Sequence, residues 1–270
     1  MEILQLPFIQ NAVIGGVLLS ILLSIISLFI YLRKWSFITV GISHATFGGL
    51  AIGVYLSISP ILTATIFAIL VGFLIGYISR KGSLHEDTSI GILFSLSMAL
   101  GVVILTRLDN YTNDLFTFLF GNIITISRDE IYILAGFLIF TLIFLKIFFQ
   151  KIMFCCFDEE VAYVSGINTT FYYYSLIALI SISVVLAVKL VGVILASAML
   201  ILPTATAKQF AKHYKTILVF GTIISILIVL LGIYISYQID APPGATIVLI
   251  YGLIFSLIVG IKKGIEVLEK

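Results

Sequence analysis

Long apolar segments separated by short polar connections run along almost the whole chain. A helix of about 20 apolar residues is enough to cross the hydrocarbon core of a bilayer. Two pairs of segments are barely separated, one by Lys189 and one by the turn at Pro60, so one member of a pair could be short or re-entrant. The pattern predicts eight to nine membrane spans, drawn from the segments 8–32, 36–56, 60–79, 88–106, 130–150, 171–188, 190–207, 216–237 and 243–261.

The composition agrees with this pattern and excludes an ordinary soluble protein. Of the 270 residues, 61% are hydrophobic, and the mean hydropathy is +1.24. A soluble core cannot use that much apolar surface. We therefore expect an all-α, polytopic integral membrane helical bundle in which residues 1–270 form a single transmembrane domain surrounded by lipid. The N-terminus lacks a basic region and a cleavage site, so segment 8–32 is expected to be a retained span.

The distribution of lysine and arginine predicts an orientation. Basic residues concentrate on the cytoplasmic side of membrane proteins. With the C-terminus inside, only Arg107, Arg128 and Lys189 fall outside. The cytoplasmic C-terminus is therefore predicted, while the side of the N-terminus depends on whether there are eight or nine spans. The residues then at the cytoplasmic face are Arg33, Lys34, Arg80, Lys81, Lys151, Lys208, Lys212, Lys215, Lys262, Lys263 and Lys270. The net charge of +2 and the lack of a basic tail give no reason to expect a nucleic-acid partner.

Two connections are longer than turns. Residues 107–130 form an extracytoplasmic segment with an apolar centre, for which a re-entrant or interfacial piece is plausible. The cytoplasmic segment of about 152–170 contains the sequence FDEEVAYVSGIN. Its carboxylates suit the first turn of a short helix, and its glycine suits the C-terminal stop. We expect this helix to dock a partner, through the candidate residues Asp158, Glu159, Glu160 and Gly166.

The most informative stretch is SFITVGISHATFGGLAIGVY, residues 36–55, which places His44 within a span. An ionisable side chain at membrane depth is costly and usually faces a pathway, a partner or a cavity. His44 is either a neutral imidazole hydrogen-bonded to a helix carbonyl as part of the packing, or a ligand or gate for a transition metal ion. The surrounding glycines would let a neighbouring backbone approach closely. Ser43 and Gly48 are candidates to line a pathway beside His44.

Pro203, in SAMLILPTATAKQF, is a further pathway-lining candidate. Proline within a span frees a backbone carbonyl and kinks the helix. The kink is either static or a bend that lines the pathway, and the sequence leaves both alternatives open.

The absence of several sequence motifs excludes or disfavours some classes of function. No phosphate-binding GxxxxGK[ST] loop occurs, so any ATPase that drives transport is a separate polypeptide and this chain is not itself an enzyme. The spans hold almost no charged pairs for proton or sodium coupling, which disfavours a secondary transporter without excluding it. An intramembrane enzyme using His44 is disfavoured because no nucleophile or second acid lies near it at membrane depth.

Six stretches resemble, in order, the membrane-spanning permease of bacterial ATP-binding-cassette importers for zinc, manganese or iron(II). They are SFITVGISHATFGGLAIG, EDTSIGILFSLSMALGV, LFTFLFGNI, FDEEVAYVSGI, VGVILASAMLILPTATA and DAPPGATIVL. The resemblance implies a homodimer in the cytoplasmic (inner) membrane, with cytoplasmic ATPase subunits below and an extracytoplasmic metal-binding protein above. FDEEVAYVSGI matches the helix that couples to the ATPase.

One position departs from the family pattern. Many relatives carry an Asp or Glu one helical turn before the histidine, and here that position is Val40. A carboxylate and an imidazole at i and i+4 could together bind a hard or borderline divalent ion, whereas His44 alone cannot. We therefore expect no permanently bound cofactor and a transported divalent metal, with zinc favoured over manganese or iron(II).

Overall fold

The computed structural model describes residues 7–81, 86–107, 121, 123 and 126–268. Within these residues the chain is helical and contains no β-strand, as the sequence predicts. The helices are α1 (Pro7–Arg33), α2 (Ser36–Tyr55), α3 (Pro60–Lys81), α4 (Glu86–Leu105), α5 (Arg128–Phe157), α6 (Glu159–Val164), α7 (Thr169–Met199), α8 (Leu202–Ala207), α9 (Tyr214–Ile239) and α10 (Pro243–Leu268). Most of segment 107–130, including the centre predicted to be re-entrant, lies outside the described residues.

Eight stretches in the described part of the chain are long and apolar enough to cross a membrane. The predicted segments 171–188 and 190–207 fall within one of them, the 39-residue stretch Thr169–Ala207 that contains α7 and α8. A straight helix of that length would measure about 58 Å, roughly twice the thickness of the bilayer core. The stretch must therefore bend.

The bend lies at Gly192, where φ is 82° and ψ is 165°. The start of α7 packs against the end of α5, with the rings of Phe148 and Tyr172 5.8 Å apart. The part of α7 just before the bend reaches the start of α5, where Lys189 Nζ lies 2.7 Å from Glu130 Oε1. The chain then returns through α8. The sequence placed this division at Lys189, and the structure places it three residues later.

Ion pairs and hydrogen bonds define the two ends of the bundle. One end, which we call the Glu159 face, holds Arg33, Arg80, Glu159 and Lys208: Glu159 pairs with both arginines, and Lys208 Nζ donates to Tyr31 Oη over 2.7 Å. The other end, the Lys189 face, holds the Lys189–Glu130 pair and a hydrogen bond from Asn11 Nδ2 to the Ile126 carbonyl. The start of α1 therefore lies at the Lys189 face. The end of α10 lies at the Glu159 face, where Lys262 Nζ is 3.5 Å from Gln209 Oε1.

The bundle buries its centre and exposes apolar side chains around its rim. Helices α1, α2 and α7 form most of the core, whereas α4, α5 and α10 are largely exposed. On α10, one exposed stripe repeats every fourth residue through Leu249, Leu253, Leu257 and Ile261. An apolar stripe on the outside of a helical bundle is what lipid contact requires.

Candidate transport site and coupling segment

Glycines set the distance between α2 and α3. A Cβ built on Gly49 would lie 2.7 Å from Ala64 Cα and 2.8 Å from Phe67 Cβ. A Cβ built on Gly53 would lie 2.7 Å from Pro60 Cα. Real side chains do not approach a backbone so closely, so only glycine allows α3 to pack at this distance. The close approach predicted from the sequence is confirmed.

The opposite side of α2 packs as tightly against α4. A Cβ on Gly48 would lie 2.7 Å from the Ser97 carbonyl oxygen, and a Cβ on Gly41 would lie 2.8 Å from Ile90 Cγ2. Gly48 is buried. It therefore brings α2 against the α4 backbone, and its role as a pathway-lining residue stays a prediction.

His44 lies on α2 between these glycine contacts and is partly buried. Its ring meets Phe94 of α4 edge-on, with the ring centroids 4.9 Å apart. Its Nδ1 atom is buried and has no hydrogen-bond partner among the described residues. A buried polar nitrogen left unpaired costs about 1–3 kcal/mol, and such groups are normally satisfied by water, an ion or a ligand. Nδ1 therefore makes no packing bond to a helix carbonyl of the described residues, and the choice between a packing role and a metal-binding role for His44 stays a prediction.

The neighbours of His44 offer few metal ligands. The buried Ser43 hydroxyl donates its proton to the Thr39 carbonyl over 2.7 Å, which leaves only its oxygen lone pairs available. Val40, one turn earlier, contributes no ligand atom. Across the described residues, no three His, Cys, Asp or Glu side chains are grouped so that they could hold a metal ion. Around His44 the described residues therefore supply a single imidazole, and its binding of a metal ion stays a prediction.

Pro203 does not kink a continuous helix. Helix α7 ends at Met199, and Pro203 lies in the first turn of the separate helix α8, a position at which proline is readily accommodated. The next residue, Thr204, donates its amide N–H to Ser27 Oγ of α1 over 3.3 Å. Helix α8 packs mainly against α1 and α9, whereas α2 packs mainly against α3, α4 and α7. The described packing does not bring Pro203 and His44 into one cluster.

The short helix predicted after α5 is confirmed as α6. The side chain of Asp158 caps its start, with Oδ1 accepting from the Val161 N–H over 2.9 Å. At its end Gly166 adopts φ 81°. The Ile167 N–H donates to the Ala162 carbonyl over 3.1 Å, which completes a Schellman motif. The sequence placed both the start and the stop of this helix correctly.

Two of the three acidic side chains in this segment lie at the helix surface, but Glu159 points into the protein. Its Oε2 lies 2.7 Å from Arg33 Nη1, and its Oε1 pairs with Arg80. Asp158 and Glu160 are exposed. Sequence reasoning missed Arg33 and Arg80 as part of this segment. The available signal was that both residues were assigned to the same membrane face as the acidic helix.

Exposed apolar side chains also lie on α6 and at the adjoining end of α5. The exposed fractions are 72% for Phe157, 49% for Val161, 71% for Tyr163 and 85% for Val164. These residues lie at the end of the bundle that holds the ion pairs of Glu159. Exposed apolar side chains rimmed by polar residues mark a surface for another protein.

The comparisons with known proteins agree with this architecture. A family described as the ABC 3 transport family matches residues 5–262. The manganese import system permease protein ScaB of Streptococcus gordonii is 36% identical, over 92% of this chain and 89% of the relative. The chelated iron transport system membrane protein YfeD of Yersinia pestis is 33% identical, over 92% of this chain and 84% of the relative.

A solved structure has the same fold. PsaBC from Streptococcus pneumoniae, determined in complex with Fab, matches with a TM-score of 0.85 and 33% identity, over 94% of this chain and 92% of that chain. Together with the family match over nearly the whole length, this likeness accounts for the eight apolar stretches. The chain therefore belongs to the ABC 3 transport family and is a permease of an ABC metal importer.

Proposed function

We propose that this chain carries a divalent transition metal ion across the bacterial cytoplasmic membrane as one protomer of a homodimeric permease. Cytoplasmic ATPase subunits hydrolyse the ATP, and an extracytoplasmic metal-binding protein delivers the ion. In this proposal the Glu159 face is cytoplasmic. The concentration of Arg33, Arg80 and Lys208 at that face supports the orientation.

The observation that carries the proposal is the unpartnered Nδ1 of His44 in the middle of α2. A neutral imidazole is a good ligand for borderline ions such as zinc, whereas manganese prefers carboxylate oxygens. With Val40 one turn away and no acidic cluster among the described residues, the site chemistry favours zinc. Single-imidazole binding suits transit because the ion must also leave.

The exposed apolar residues of α6 support the position of the ATPase partner. Val164 and Phe157 lie at the Glu159 face, close to charged residues. We propose that this surface contacts the ATPase subunits, and that ATP binding there moves α6. Ser43, Gly48 and Pro203 remain candidates to line the pathway.

The test of the site is His44→Ala in proteoliposomes that contain the permease, its ATPase and the metal-binding protein. Zinc uptake is expected to fall by about tenfold or more, as is typical when a metal-site group is lost. His213→Ala is the matched control, because His213 lies in an exposed turn outside the spans. Unchanged zinc uptake by His44→Ala would assign His44 to packing.

The choice of metal is tested by restoring the missing acid. Val40→Asp places a carboxylate one turn from His44, and uptake is expected to shift from zinc towards manganese. Val40→Asn has the same shape without the charge and is expected to leave the preference unchanged. If the unmodified complex already prefers manganese, the zinc proposal is wrong.

The alternative is an ATP-independent secondary transporter. An ATPase variant that binds but cannot hydrolyse ATP separates the two functions. Uptake that stops supports the importer, and uptake that continues supports the secondary transporter.

A further inference from the structure

One carboxylate at the Glu159 face joins three helices. Glu159 is the first residue of α6. Its two oxygens contact Arg33, the last residue of α1, and Arg80, near the end of α3. Each oxygen of this side chain therefore contacts a different helix of the same chain.

Two aromatic rings fix the arginines in place. The Arg33 guanidinium lies 5.4 Å from the centroid of the Trp35 ring, and the Arg80 guanidinium lies 4.5 Å from that of Tyr173. The Trp35 and Tyr173 rings meet edge-on, with their centroids 5.0 Å apart. We call these five residues the Glu159 cluster. They tie α6 to α1 and α3, to the start of α2 through Trp35, and to α7 through Tyr173.

The cluster is partly shielded from water. The side chain of Arg33 is 11% exposed, and those of Glu159 and Arg80 are each 29% exposed. Charge pairs shielded in this way are less weakened by solvent than pairs on an open surface. Removal of the carboxylate would leave two positive groups side by side.

The rest of α6 is only loosely attached to the bundle. Ala162 is its one buried residue, while Val161, Tyr163 and Val164 are exposed. A force applied to the exposed surface of α6 reaches α5 and α7 along the chain, and it reaches α1 and α3 through the two ion pairs of Glu159. Only Lys34 and Trp35 separate α1 from α2, so a displacement of Arg33 also reaches the helix that carries His44.

We propose that Glu159 is a positioning residue that transmits movement of α6 to α1, α3 and α2 without itself contacting the ATPase. The inference rests on the proposed function, because it assumes that α6 receives its movement from an ATPase. The sequence had assigned Glu159 to the docking surface together with Glu160. The two neighbouring carboxylates now have separate roles, one facing inward and one facing the partner.

The experiment compares Glu159→Gln with Asp129→Asn in the reconstituted complex, because Asp129 is an exposed carboxylate at the Lys189 face, away from α6. Three quantities are measured: recovery of the ATPase with the tagged permease, the rate of ATP hydrolysis, and the metal ions imported per ATP hydrolysed. Glu159→Gln is expected to retain the ATPase and hydrolyse ATP but to import about tenfold less metal per ATP, within the usual range of coupling between sites. Asp129→Asn should import at the normal ratio, and Glu159→Asp, which keeps the charge, should recover part of it.

Each other outcome decides against the proposal or against its premise. A normal import ratio in Glu159→Gln overturns it, and so does loss of the ATPase from that variant, which would make Glu159 a docking residue. If Glu159→Gln does not accumulate in membranes, Arg80→Gln is tested instead, because it keeps the Arg33–Glu159 pair. A normal import ratio in Arg80→Gln would overturn the proposal. If the unmodified complex neither hydrolyses ATP nor imports metal, the proposed function fails and not the role of Glu159.

Discussion

Helices α2 and α6 are the two elements most closely tied to the proposed function, and they are held in opposite ways. Helix α2 is packed on two sides, where Gly49 meets the α3 backbone and Gly48 meets the Ser97 carbonyl. Helix α6 is held by the contacts of Glu159 and by one buried alanine. There is no room for added atoms at the glycines of α2, whereas α6 has ample room on its exposed side. We infer that α2 is positioned by close packing and α6 by charge. Close packing suits the helix that carries His44, and attachment by charge suits a helix that is proposed to move.

The largest effect is expected from added volume in α2. Gly49→Val places methyl groups against the α3 backbone, and overpacking of this kind costs about 1–3 kcal/mol or more. The detergent-solubilised permease should lose thermal stability, as measured by the temperature at which it aggregates. Gly91→Val on α4 is the control, because a Cβ there meets nothing within 4 Å. Equal stability of the two variants would contradict close packing of α2.

An intermediate loss of stability is expected at the Lys189 face. Among the described residues, this face is held by one ion pair, whereas Glu159 forms two. Glu130 pairs with Lys189 and also accepts from the Ser127 N–H over 2.9 Å, in a capping box at the start of α5. Glu130→Ala removes both the ion pair and the acceptor of the capping box, and should cost about 1–2 kcal/mol, the sum of one capping interaction and a partly exposed ion pair. Thermal unfolding measures the loss.

A matched variant separates the two roles of Glu130. Lys189→Met removes the ion pair and leaves the capping box intact, so it should cost less than Glu130→Ala. A larger loss for Lys189→Met would mean that the ion pair, rather than the cap, holds α5 and α7 together at this end.

The smallest effect is expected in α6. A Cβ on Gly166 meets nothing within 4 Å, so the only penalty of Gly166→Ala is its φ of 81°, about 1 kcal/mol. Val164→Ala, at an exposed position of the same helix, should change stability less. Amide hydrogen exchange in 158–167 would detect the fraying of α6 in Gly166→Ala. A loss as large as that of Gly49→Val would remove the contrast between the two helices.

The sequence predicted the features that depend on short-range patterns of residues. Hydropathy located the spans, the glycines around His44 indicated close helix packing, and Asp158 and Gly166 marked the ends of α6. The bend at Gly192 was missed because the hydropathy of a residue does not report its backbone conformation. The charged Lys189 was taken as the division between two spans instead, because charged residues usually lie in connections. The prediction that Pro203 kinks a span was wrong in detail, because the chain had already left the helix.

The inward turn of Glu159 could not be read from the sequence either. Its partners lie 126 and 79 residues away along the chain, and nothing in the three consecutive carboxylates distinguishes the middle one. Only the packing of α1 and α3 against α7 brings the arginines to it. The metal-binding role of His44 and the preference for zinc stay predictions, because ScaB and YfeD are named for manganese and for chelated iron.

The bend at Gly192 also bears on how the protein enters the membrane. The returning limb, 193–207, is about 22 Å long as a helix and is shorter than the bilayer core of about 30 Å. A segment this short is poorly retained in the membrane by itself, so we expect α7 and α8 to be inserted together as one hairpin. Lys189 then crosses the membrane close to the tip of that hairpin. We therefore expect membrane insertion to depend on Gly192, the glycine at which the chain turns back.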